Sequence, residues 1–132
     1  MRAFLARLAA PIVIGSVAFM GTGVHPAAAA PALGARKIAG TYTVYFSYVG
    51  PYNNLPVTLT RKHSGTDIDD DQIVWSSVGR SIELDFSSAA LPGATATFLG
   101  TVTKTGFDSA KHPGTFSNSL GDSGVWYAVK NA

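Results

Sequence analysis

The chain has 132 residues, 10 Lys+Arg against 8 Asp+Glu, and no cysteine. That length suits a single domain, and the missing cysteine excludes a disulfide scaffold, a thiolate zinc site and a lipoprotein anchor. The net positive charge belongs to the first residues: without Arg2 and Arg7, eight cations face eight acids, and no basic run marks a nucleic-acid binder.

The N-terminus orders charge, apolar residues and small residues. Arg2 and Arg7 precede an uncharged stretch, Leu8 to Gly21, and an alanine tract follows at Ala27 to Ala30. That order is the pattern of a secretory signal peptide. The apolar stretch falls short of the roughly 20 residues of a spanning helix, and Pro11, Gly15 and Gly21 weaken it further. Pro31 disfavours a cut directly before it, so the signal is expected to cover residues 1–29 and the mature chain to start at Ala30. The expected location is extracellular, or periplasmic where there is an outer membrane, with no membrane attachment after cleavage.

Residues 30–39 begin rich in Pro, Ala and Gly and read as a flexible leader. From Gly40 the period becomes two. Tyr42, Val44, Phe46 and Tyr48 share one face of a first strand, with Thr41, Thr43, Tyr45 and Ser47 on the other. Gly50 to Asn54 is a turn. Leu55, Val57 and Leu59 form one face of a second strand, with Pro56 pointing to an edge or a bulge because it lacks an N–H. Ser64 to Gln72 reads as a polar loop. Ile73 to Val78 is a strand around Trp75, and Ser81 to Phe86 alternates Ile82, Leu84 and Phe86 inward with Glu83 and Asp85 outward.

Ala94 to Lys104 is a Thr-rich strand interrupted by Gly100, a sign of a bulge or bend. Phe107 to Pro113 shows no clear period. Gly114 to Asn118 and Gly124 to Lys130 are the last strands, the final one carrying Val125, Trp126, Tyr127 and Val129. No segment after the signal sustains a helical period. The expected fold is all-β: a small antiparallel up-and-down β-barrel of seven or eight strands over residues 40–132, with a β-sandwich as the alternative. Closure removes exposed strand edges, and pairing of the aromatic-rich first and last strands would achieve it.

The opening Gly40-Thr41-Tyr42, the successive hairpins and the closing Gly124-Val125-Trp126-Tyr127 resemble the calycin group of lipocalin-like and avidin-like barrels. The resemblance covers most of residues 40–132 as architecture. Lipocalins usually carry Trp two residues after the first-strand glycine; here that residue is Tyr42. No biotin-binding residues carry over. The resemblance implies a barrel and leaves its ligand open.

Two groups of residues are candidates for chemistry. Tyr42, Phe46, Tyr48, Trp75 and Trp126 would line a pocket for a small apolar ligand, or else simply fill the barrel. Tyr45, Tyr52 and Trp75 are alternatively outward residues that would stack on a carbohydrate or protein partner. Asp67, Asp69 and Asp71 would offer oxygens to Ca²⁺, the one cofactor considered. Their spacing opens like an EF-hand loop, but Gln72 stands where that loop needs Gly and Val78 where it needs Glu. His63 and His112 make a poor zinc set without cysteine. Glu83 and Asp85 read as two carboxylates on a solvated face rather than a catalytic pair.

The expected function is therefore a secreted, monomeric, non-catalytic binding protein that holds a small apolar molecule. The alternative is an interaction or inhibitor protein that presents its loops to a protein or carbohydrate. Neither an enzyme nor a nucleic-acid binder is expected.

Overall fold

The computed structural model describes residues 34–132. The expected signal peptide and the first part of the expected leader lie outside the described residues. One helical turn, α1 (Ala35–Ile38), leads into nine strands: β1 (Gly40–Ser47), β2 (Asn53–Leu59), β3 (Ser64–Asp67), β4 (Gln72–Val78), β5 (Ser81–Ser87), β6 (Thr95–Thr101), β7 (Gly106–Phe107), β8 (Gly114–Asn118) and β9 (Ser123–Lys130).

Neighbouring strands pair antiparallel in the order β1-β2-β3-β4-β5-β6-β8-β9, and β1 pairs with β9 to close an eight-stranded barrel. The closing ladder runs from Tyr42 opposite Lys130 to Ser47 opposite Val125. β7 is the extra strand. It pairs with β9 through Phe107 opposite Ala128, while β8 meets the same strand through Gly114 opposite Trp126. β7 and β8 thus follow one another along one side of β9, separated by residues 108–113.

Alternation sends one face of each strand inside. Tyr42, Val44 and Phe46 are buried on β1, Leu55, Val57 and Leu59 on β2, and Ile82, Leu84 and Phe86 on β5. The interior is dominated by aromatic rings in continuous contact. Phe46 meets Phe116 edge-on at 6.0 Å, Phe116 stacks on Phe98 at 4.7 Å, and Phe98 meets Trp126 edge-on at 5.3 Å. Trp126 then meets Phe107 at 5.9 Å, and Phe107 stacks on Tyr42 at 4.6 Å. The chain of rings joins one end of the barrel to the other. Each such pair contributes roughly 0.5–1.5 kcal/mol beyond its buried area, which helps a small domain without disulfides.

The structure refines or changes several local readings. Ser64–Asp67, expected within a loop, is the strand β3, with Gly65 and Asp67 buried and Ser64 and Thr66 exposed. It lacks apolar residues, so its period was invisible, and its partners on β2 and β4 define it instead. Because β3 is short, Asn53–Pro56 has a ladder partner only in β1, a local edge inside a closed barrel that accommodates Pro56.

Trp75 lies inside, at 1% exposure, with its indole N–H donating to Thr60 O at 3.0 Å and its ring stacked on His63 at 4.1 Å. Gly100 marks a close approach: a Cβ there would collide with the Asp108 carboxylate and the Trp126 ring. Glu83 does point outward, between inward Ile82 and Leu84, yet it is only 1% exposed.

The end of the leader segment is part of the fold. Ile38 is fully buried, and the Tyr42 hydroxyl donates to its carbonyl at 2.6 Å.

Candidate functional site

Antiparallel alternation sorts the turns to two ends. One end carries the β2–β3, β4–β5 and β6–β7 turns, the start of β1 and the end of β9. Lys37, Arg61, Lys62, Arg80, Lys104 and Lys130 all stand there. The other end carries the β1–β2, β3–β4, β5–β6 and β8–β9 connections, with Asp67, Asp69, Asp70, Asp71 and Asp122. Basic residues scattered along the chain gather at one end, and the acidic loop faces the opposite way.

The basic end opens into a cavity of about 490 Å³. Lys37 reaches it from α1, Arg80 from the β4–β5 turn, Lys104 from the β6–β7 turn and Lys130 from the end of β9. Tyr42, Val102, Thr103 and Gly106 complete the lining, which contains no carboxylate and no imidazole. The volume falls within the range of small-molecule sites.

Main-chain bonds fasten the rim. Val102 N–H donates to Arg80 O at 2.7 Å, joining the β6–β7 and β4–β5 turns, and Lys130 N–H donates to Thr105 O at 2.7 Å, joining β9. The Lys130 ammonium donates to Lys37 O at 2.9 Å and ties α1 to the same frame. The Thr103 hydroxyl accepts the Gly106 N–H at 3.1 Å, which sets the tight β6–β7 turn. Burial pushes the Tyr42 phenol up to about 12, so it stays a neutral donor bound to Ile38 O.

Of the aromatic residues expected to bind a ligand, Tyr42 alone lines this cavity. Trp126 is packed between Phe98 and Phe107, and its indole N–H donates to Leu99 O at 3.0 Å. Phe46 and Tyr48 sit toward the acidic end against Phe116, and the Tyr48 hydroxyl accepts from Asn118 Nδ2 at 3.1 Å. Trp75 belongs to the core beside His63. Tyr45 and Tyr127 do lie on the outer wall, stacked at 4.8 Å, with Tyr52 edge-on to Tyr127 at 5.1 Å.

The acidic loop is organised largely by its own hydrogen bonds. Asp67 Oδ1 accepts the N–H groups of Asp69 at 2.8 Å and Asp71 at 3.1 Å, and Asp71 Oδ1 accepts Ala89 N–H at 2.7 Å. The Oδ2 atoms of Asp67, Asp69 and Asp71 are buried without a hydrogen-bond partner. Burial, followed by proton sharing with Asp71, pushes Asp67 up to about 7. Burial and then the neighbouring Asp85 likewise push Glu83 up to about 8. Among the described residues, no group of three or more acidic, His or Cys side chains is placed to hold a metal ion.

Sequence reasoning missed Lys37, Arg80, Lys104 and Lys130 as a group because they are scattered along the chain. The available signal was their position next to strand ends that antiparallel alternation sends to one side. No family model, curated protein or solved structure matches the chain.

Proposed function

We propose that this is an exported, non-catalytic binding module whose ligand sits in the open mouth of the barrel. The observation that carries this reading is the cavity at the basic end, framed by main-chain bonds, above an interior packed with the protein's own rings. A rigid frame with little to reorganise favours binding, because less ordering entropy is lost on association. The lining offers cations, hydroxyls and a short apolar patch, but no carboxylate or imidazole to move a proton.

The test uses isotope-labelled protein titrated with the fluorescent anion 1-anilinonaphthalene-8-sulfonate. The expected result is saturable amide shifts confined to residues 102–106, Arg80 and Lys130. Shifts elsewhere only, or none, with both this probe and its neutral counterpart N-phenyl-1-naphthylamine would overturn the reading.

A second reading, an interaction protein, rests on the acidic end. Val49 is 93% exposed, and Tyr52, Ile68 and Leu120 are exposed on neighbouring hairpin connections. Such apolar tips around Asp69 and Asp70 suit a protein partner. Backbone shifts confined to these tips on addition of a partner would favour it.

A further inference from the structure

We infer that the mouth selects an organic oxyanion: a free small molecule bearing a phosphate, sulfate or carboxylate group on an apolar body. The inference rests on the mouth being the binding site and adds the class of ligand. Four cationic residues line one cavity of about 490 Å³ whose lining has no acid to balance them. Held near one another by a fastened rim, like charges repel, and an anion placed between them removes that repulsion while gaining attraction to each.

Five acids, Asp67, Asp69, Asp70, Asp71 and Asp122, stand at the other end of the barrel, beyond the reach of strong interaction at physiological salt, and Asp108, the acid near the basic end, turns its carboxylate to the Thr101 N–H outside the cavity lining. The field at the mouth is therefore positive, and a concave low-dielectric wall focuses it on whatever enters. Arg80 adds a planar fork suited to the paired oxygens of a carboxylate or phosphate.

The apolar body follows from the rest of the lining. Val102 is the aliphatic residue of the lining, and it stands with the buried Tyr42 ring beside the cations as a small apolar surface. The Lys130 ammonium already lies 5.8 Å from the Tyr42 ring centre and donates to Lys37 O, so it is a positioned charge rather than a free tail. An inorganic ion would use the charges and leave the patch wet. An amphiphilic anion uses both.

The experiment compares 1-anilinonaphthalene-8-sulfonate with its neutral counterpart N-phenyl-1-naphthylamine on the intact protein and on R80Q/K104Q. Both replaced side chains are absent from the bonds that fasten the rim, so the variant is expected to keep the wild-type amide spectrum outside the mouth.

The sulfonate should shift the mouth amides at least tenfold more tightly than the neutral probe, weaken about tenfold or more in R80Q/K104Q, and weaken further between 50 and 500 mM NaCl as surface charges are screened. Equal binding of both probes at the mouth, insensitive to the variant, would overturn the anion and leave the mouth as the site. No shift at the mouth with either probe would overturn both. Co-sedimentation with phosphatidylglycerol vesicles, lost in R80Q/K104Q, would overturn the free small molecule in favour of a lipid headgroup.

Discussion

Replacing Asp67 by Asn should stabilise the protein at neutral and alkaline pH, and the gain should vanish in acid. Asp67 is buried at 6% exposure, with Oδ1 holding two loop N–H groups and Oδ2 without a hydrogen-bond partner. Its folded-state value of about 7 lies above the ordinary 3.8, chiefly because burial penalises the charged form. A raised carboxyl means that the native state holds a proton the unfolded chain has released. The stability this confers is fully present below pH 3.8 and is lost progressively as pH rises to about 7.

At about 1.4 kcal/mol per unit, the full loss has an upper bound of about 4 kcal/mol, and sharing with Asp71 reduces it to about 2–4. Asn keeps the Oδ1 acceptor and supplies a permanent N–H toward Asp71. Urea unfolding followed by tryptophan fluorescence should show D67N and wild type within about 0.5 kcal/mol of each other at pH 3.5. At pH 8, D67N should be ahead by about 2–4 kcal/mol, or about 10 °C or more in Tm for a domain of this size. A D67N variant less stable than wild type at pH 8, or a difference that does not change with pH, would refute the shared-proton account.

Three further outcomes follow from the same geometry. E83Q should behave similarly with a later window: Glu83 is raised to about 8 from 4.5, so the variant's advantage should grow from pH 4.5 to 8 and then level off, as read by thermal melts in a pH series. F98A removes the ring that meets Phe86, Phe116 and Trp126 and should cost about 3–5 kcal/mol in urea unfolding, a large part of the stability of a small domain. Y42F leaves the buried Ile38 carbonyl without its hydroxyl donor and should cost about 1–2 kcal/mol, with faster amide exchange at Lys37–Ala39 as the specific sign that α1 has loosened.

Much of the barrel was legible along the chain because a strand writes its buried face at every second residue. Tyr42, Val44 and Phe46 on β1 and Ile82, Leu84 and Phe86 on β5 show this plainly, and the aromatic first and last strands do pair to close the sheet. Where a strand lacks apolar residues the record fails. Ser64–Asp67 is a strand only because β2 and β4 flank it. Trp75 shares a face with Ile73, but Val74 makes the run apolar on both faces, so only the closed sheet assigns Trp75 to the inside.

The candidate site was legible only in part. Tyr42 was visible as an inward aromatic, but the cations around it were four unrelated positions until the topology was known. The sequence by itself determined strand period, turn chemistry and the charges that each turn carries. The tertiary structure alone decided which charges became neighbours, because antiparallel connection sends alternate turns to opposite ends. It also decided that the carboxyls of Asp67 and Glu83 are buried, since burial depends on what packs across a residue and not on its place in the period.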